Sequence, residues 1–98
     1  MALLQLTVIP LGTGSPSVGD YVADIQKALE SEKVRFQLND MGTVIEGDAQ
    51  KLLALMARIY EIPFRHGAQR VVTQIVIDDR RDKEICIGDK VDSVQKRL

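Results

Sequence analysis

The chain has 98 residues, 45% hydrophobic and 28% charged, with a formal net charge of −1 and a pI near 5.7. This is the size of one domain, expected to span 1–98, and the composition of a packed soluble protein rather than a disordered one. The charge balance lacks the basic footprint of a nucleic-acid binder, and the single cysteine, Cys86, excludes an internal disulfide framework or a multi-cysteine zinc site.

The segment Leu3–Leu11 is rich in Leu, Val, Ile and Thr and ends at Pro10 and Gly12, which predicts a strand. One face carries Leu4, Leu6 and Val8; the other carries Leu3, Gln5, Thr7 and Ile9 and is only half polar. Gly12–Ser17 has the composition of a loop. Ser17 stands where a helix N-cap would, with Asp20 in the capping-box position. Val18, Tyr21, Val22, Ile25, Ala28 and Leu29 then recur at helical spacing up to Ser31–Glu32. Val34–Asn39 alternates as a half-buried strand, Asn39–Gly42 reads as a turn, and Thr43–Glu46 is the returning strand of a hairpin.

Asp48 is placed to cap a second helix, with the stripe Ala49, Leu52, Leu53, Met56, Ile59 and Tyr60, ending near Pro63. Arg65–Ala68 is a connection. Val71–Ile77, the most β-prone segment, predicts an interior strand. A charged turn follows at Asp79–Lys83. Ile85-Cys86-Ile87 reads as a further short strand, and Val91 and Val94 suggest a terminal helix over Lys90–Lys96. The order strand, helix, strand, strand, helix, strand is the α+β, ferredoxin-like βαββαβ arrangement: an antiparallel sheet with both helices on one face. The bare face, with Gln5, Thr7, Ile9, Gln37 and Asn39, must meet water, another subunit or a ligand.

The stretch Met41–Asp48 concentrates the chemistry. Thr43 and Ile45 point to one side of the strand, Val44 and Glu46 to the other. A carboxylate ending an apolar strand is costly without a cationic or hydrogen-bonding partner. For Glu46 that partner is a ligand, an internal arginine, Arg70 or Arg80, or simply the nearby helix N-terminus. The Gly12–Ser17 loop matches neither the dinucleotide fingerprint nor a P-loop; it is either an anion cradle built on Thr13, Ser15 and Ser17 or a plain connection. His66 follows a helix end with no metal partner or nucleophile nearby, so a surface role is expected. Cys86, between isoleucines, reads as a buried inert thiol. The arginines and Lys83 of the carboxy-terminal part are balanced by Asp78, Asp79, Asp82 and Glu84. No carboxylate pair stands out as an acid–base dyad, so no catalysis and no metal site are expected. The start Met1–Leu4 lacks a basic n-region and a long apolar core, and no run approaches a membrane span. Together with the lone thiol this predicts a cytoplasmic protein without a membrane partner.

Several motifs in register are similar to those of one family. Val8-Ile9-Pro10-Leu11-Gly12-Thr13-Gly14 with Ser17 and Tyr21-Val22-Ala23, Met41-Gly42-Thr43-Val44-Ile45-Glu46-Gly47, Gly67-Ala68-Gln69-Arg70-Val71-Val72-Thr73 and Asp78-Asp79-Arg80-Arg81-Asp82 together resemble the small thiamine-binding proteins, from about Leu4 to Val94. The resemblance implies a ferredoxin-like domain that binds thiamine or its hydroxymethylpyrimidine moiety, without catalysis and with no cofactor. It implies a homotetramer built as a dimer of dimers, with the ligand near subunit contacts. At matching positions it implies a pocket of Thr13 and Ser15 in the first loop, Asn39, Met41 and Thr43 around the hairpin, and Glu46. An aminopyrimidine edge offers ring-nitrogen acceptors beside an amino donor, which a carboxylate and an amide can pair, while Met41 supplies a polarisable contact. Two other readings stay open: a ligand-free regulatory or interaction module that oligomerises through its bare sheet face, and an enzyme acting on a thiamine precursor.

Overall fold

The computed structural model describes residues 1–12 and 19–98. The expected Ser17 cap, and Thr13 and Ser15, lie outside the described residues. Strand β1 (Ala2–Leu11) sends Ala2, Leu4 and Leu6 into the interior, as its alternation predicts. Helix α1 (Gly19–Ser31) buries Tyr21, Ile25 and Leu29, one residue per turn on one side. Lys33, at φ 57°, follows the helix and turns the chain into the hairpin.

The hairpin pairs β2 (Arg35–Asn39) with β3 (Gly42–Gly47), from Arg35 opposite Glu46 to Asn39 opposite Gly42, leaving Asp40 and Met41 as the turn. Thr43 and Ile45 are buried and lie on the same sheet face as Leu4 and Leu6. Asp48 caps α2 (Ala49–Ile59) as expected: its carboxylate accepts from the Lys51 amide at 3.2 Å. The one-turn helix α3 (Ile62–Arg65) carries the chain past Pro63 to β4 (Arg70–Asp79), and α4 (Asp89–Gln95) follows.

The sheet is antiparallel throughout, in the order β2-β3-β1-β4. Leu4, Leu6 and Ile45 from the sheet, Tyr21, Ile25 and Leu29 from α1, and Leu52, Leu55, Met56 and Ile59 from α2 form one core cluster. Both long helices therefore cover the same face, and the ferredoxin-like arrangement holds.

Three details correct the sequence reading. The β-prone segment Val71–Ile77 is not interior: β4 is an edge strand that pairs only with β1 among the described residues. Composition reports affinity for a sheet, not the number of neighbours. Ile85-Cys86-Ile87 forms no strand. In α2 the buried set is Leu52, Leu55, Met56 and Ile59, while Leu53 and Tyr60 are exposed. Leu53 lies roughly 100° round the helix from Leu52, which carries it off the core stripe.

Gly42 closes the hairpin against β1. A Cβ there would stand 2.9 Å from the Leu6 carbonyl oxygen and 3.0 Å from Thr7 Oγ1. The first of these is backbone and cannot swing aside. Gly42→Ala is expected to cost about 1–3 kcal/mol through overpacking, measured as a lower denaturant midpoint with an unchanged m-value.

Candidate ligand-binding site

Between α1 and the tip of the β2–β3 hairpin lies a cavity of about 350 Å³, a size that suits a small organic ligand. Its apolar wall comes from β1 (Leu6, Val8), α1 (Tyr21, Val22, Ile25) and Leu38 of β2. Its polar groups are Gln26 on α1, Thr7 on β1, and Asn39, Asp40 and Thr43 around the hairpin, with Met41 in the turn. Alternation on β1 and β3 brings Leu6 and Thr43 to the helix side, and one helical turn beyond Val22 brings Gln26 above Thr43.

The polar part of this wall is internally fixed. Gln26 Nε2 donates to Thr43 Oγ1 at 3.2 Å, and Thr43 is the one polar residue counted with the buried core among the described residues. Gln26 Oε1 is buried and has no hydrogen-bond partner among the described residues. Leaving such an acceptor unpaired costs about 1–3 kcal/mol, so the described part of the site is short of one donor. Thr7 Oγ1 donates to the Met41 carbonyl at 3.2 Å, tying the turn to β1 while the Met41 side chain stays 85% exposed. Tyr21 donates from its hydroxyl to the Val8 carbonyl at 3.4 Å, and burial pushes the phenol up, so it remains a neutral donor.

Of the residues expected from sequence, Asn39, Met41 and Thr43 come together on this cavity. Glu46 does not line it. Val44 and Glu46 point to the opposite face, where the carboxylate is only 11% exposed. Glu46 Oε1 accepts from the Ile87 amide at 2.8 Å and lies 3.9 Å from Arg35 Nη1, its cross-strand neighbour. The cation beside Glu46 is therefore Arg35, not Arg70 or Arg80, because register places Arg35 directly across β3. Asn39 also lines a second, smaller cavity of about 210 Å³ with Leu3, Gln37 and Val44 on one side and Cys86–Gly88, Lys90 and Val91 on the other. The carboxy-terminal segment thus lies over part of the face the long helices leave bare.

Other groups settle locally. His66 Nε2 is 2.7 Å from Asp24 Oδ2 and joins the end of α3 to α1. Arg80 grips Asp82 at 2.7 Å and holds its carboxyl down to about 2, while Arg81 pairs with Asp79 at 2.9 Å. Desolvation and then the Glu46 carboxylate push the Cys86 thiol up, which disfavours the thiolate. Among the described residues no cluster of three or more His, Cys, Asp or Glu could hold a metal ion, and no helix is long and apolar enough to cross a membrane. Sequence reasoning missed Gln26. Its signal was positional: Val22 and Gln26 are four residues apart, beside the Tyr21–Ile25–Leu29 stripe.

The profile of the family described as thiamine-binding protein matches residues 4–95. The UPF0045 protein YqgV of Bacillus subtilis is 48% identical, over 100% of this chain and 98% of its own length. A UPF0045 protein of Methanothermobacter thermautotrophicus is 40% identical over 100% of both chains. A hypothetical protein of Methanocaldococcus jannaschii superposes with a TM-score of 0.82 at 29% identity, covering 97% of this chain and 96% of that one. A Thermotoga maritima structure, named for thiamine biosynthesis or salvage, superposes with a TM-score of 0.78 at 17% identity, covering 95% and 97% of the two chains. That last likeness is one of fold.

The Glu46 contact generates a direct test. Glu46→Ala removes a charge-assisted bond to the Ile87 amide and should lower folding stability by about 1.5–3 kcal/mol. The Ile87 amide should lose hydrogen-exchange protection at the same time. An unchanged melt would show that the carboxylate does not hold the carboxy-terminal segment.

Proposed function

The chain belongs to the thiamine-binding protein family, and from that premise we propose that it reversibly binds thiamine or its hydroxymethylpyrimidine moiety in the cavity between α1 and the β2–β3 hairpin. The observation that carries this assignment is Gln26 Oε1, buried and without a partner among the described residues, beside Thr43 in a largely apolar wall. A ring with an exocyclic amino group would supply the missing donor, and its flat faces suit the Leu, Val and Tyr side chains around it. Met41 at the mouth adds a polarisable contact, and Asn39 an amide. Thr13 and Ser15, between β1 and α1 in the sequence, are proposed to close the polar side. We assign the anchoring to the Gln26–Thr43 pair rather than to Glu46, whose carboxylate already has protein partners.

The reading is one of binding without turnover in a cytoplasmic homotetramer, a dimer of dimers. Among the described residues no nucleophile with an adjacent base lines the cavity. Val72, Ile75, Val76 and Ile77 on β4, and Val91 and Val94 on α4, are all exposed, and apolar surface of this extent favours association. The same surface supports the alternative of an interaction module with no small ligand.

Calorimetry with thiamine, its phosphates and hydroxymethylpyrimidine tests the binding reading. The wild-type protein should give saturable heat with at least one of them. Gln26→Leu and Thr43→Val should each weaken it by about 1–2 kcal/mol, on the order of tenfold in Kd. No heat with any of these ligands would end the reading and leave the interaction module in its place. Equal affinity in wild type and in a Thr13→Ala/Ser15→Ala double variant would remove the first loop from the site. For the assembly, light scattering at micromolar concentration should give a multiple of the chain mass; the monomer mass would contradict it.

A further inference from the structure

The chain has three methionines, and the fold treats them differently. Met41 lines the larger cavity, and its side chain is 85% exposed. Met56, in α2, is 3% exposed and belongs to the core cluster. Met1 lies at the far end of the sheet from the hairpin turn, beside Ala2, which pairs with Gly47. A thioether is oxidised where an oxidant can reach it. The fold therefore sets one accessible sulfur at the mouth of the cavity and shields another in the core.

The backbone at Met41 is held while its side chain is not. Thr7 Oγ1 donates to the Met41 carbonyl at 3.2 Å. Met41 is the second residue of the turn between Asn39 and Gly42, which pair across the hairpin. A change confined to the sulfur thus alters the lining of the cavity without unpairing the strands.

We propose that Met41 is a modification site at which a peroxide lowers the affinity of the cavity for its ligand. This concerns the regulation of the proposed site and rests on the binding reading above. The sulfur lone pair attacks one oxygen of hydrogen peroxide, a sulfur–oxygen bond forms and the O–O bond breaks. The sulfur loses two electrons and the peroxide gains them. The second oxygen leaves as hydroxide and takes the proton from the new sulfur-bound hydroxyl, so the products are a sulfoxide and water. The sulfoxide is polar where the thioether was soft and apolar. Gln26 Oε1, on the wall of the same cavity, already lacks a donor among the described residues. A second acceptor supplies none, and a hydrated sulfoxide has to lose water before a flat ring can lie against it. Sulfoxide reductases, one for each epimer, restore the thioether, so the change is reversible.

The test uses Cys86→Ser protein, which removes thiol chemistry, with thiamine as the probe, or hydroxymethylpyrimidine where thiamine gives no heat. After brief treatment with hydrogen peroxide, peptide mass spectrometry should find an added oxygen on Met41 and none on Met56. The dissociation constant should rise by about tenfold, while the denaturant midpoint stays in place. Treatment with both reductases should return the affinity. Met41→Leu, whatever its own affinity, should bind equally before and after peroxide. Four results would each overturn the inference and leave the binding reading standing: Met56 oxidised as readily as Met41, unchanged affinity with Met41 fully oxidised, an affinity loss that Met41→Leu shares, or a fall in the midpoint that accompanies the loss. No heat from any of the ligands before peroxide would instead end the binding reading, and this inference with it.

Discussion

Strand β1 is paired on both of its edges, with β3 on one side and β4 on the other, and the rest of the molecule depends on that double pairing. Because the ladders are in register from Ala2 onward, the alternation of β1 assigns a face to every residue across from it. Leu4 fixes Ile45 and Ile77 on the helix side; Leu3 fixes Glu46 and Asp78 on the other. A slip of one residue would exchange those sets, exposing Leu4, Leu6 and Ile45 and burying Glu46 against the helices. The cost of that exchange holds the hairpin, and with it the cavity, in place.

The cavity sits where this frame runs out of partners. Helix α1 crosses the sheet with Ile25 and Leu29 in the core cluster. At its other end it meets the hairpin tip, where the Asp40–Met41 turn and Thr7 replace continuous apolar packing. A polar contact there, Gln26 to Thr43, spans helix and sheet. Half of the Gln26 amide is satisfied by that bond, and the other half has no partner among the described residues. An acceptor left so is costly, and a matching donor would offset that cost.

Much of this was legible in the sequence, because periodicity reports faces directly. The strand and helix order, the hairpin at Asn39–Gly42, the Asp48 cap and the division of Thr43 and Ile45 from Val44 and Glu46 all follow from spacing and local chemistry. What spacing does not report is which element lies against which. The sheet edge at β4 has the composition of an interior strand, since β-branched residues suit a pleated sheet with one neighbour as well as with two. Leu53 and Leu55 are equally apolar, and only the direction in which α2 meets Ile45 separates them. Gln26 reads as surface because polar residues on helices usually are; its role appears only once β3 lies beneath α1. The spacing identifies Glu46 as a carboxylate that needs a partner. The partner, the amide of Ile87, is 41 residues away along the chain and carries no side-chain signature.

The eight residues Met41–Asp48 join these separate requirements. Met41 lies at the mouth of the cavity, Gly42 allows the hairpin to approach Leu6, and Thr43 receives Gln26. Val44 and Glu46 meet the carboxy-terminal segment on the far side, and Asp48 starts α2. Along the strand odd positions serve the helix face and even positions the bare face, so one short strand addresses the larger cavity with one side and the covering segment with the other. Asn39, across the turn, lines both cavities. The β1–β3 ladder separates these two surfaces, and their chemistry can differ because alternation sends neighbouring side chains to opposite faces.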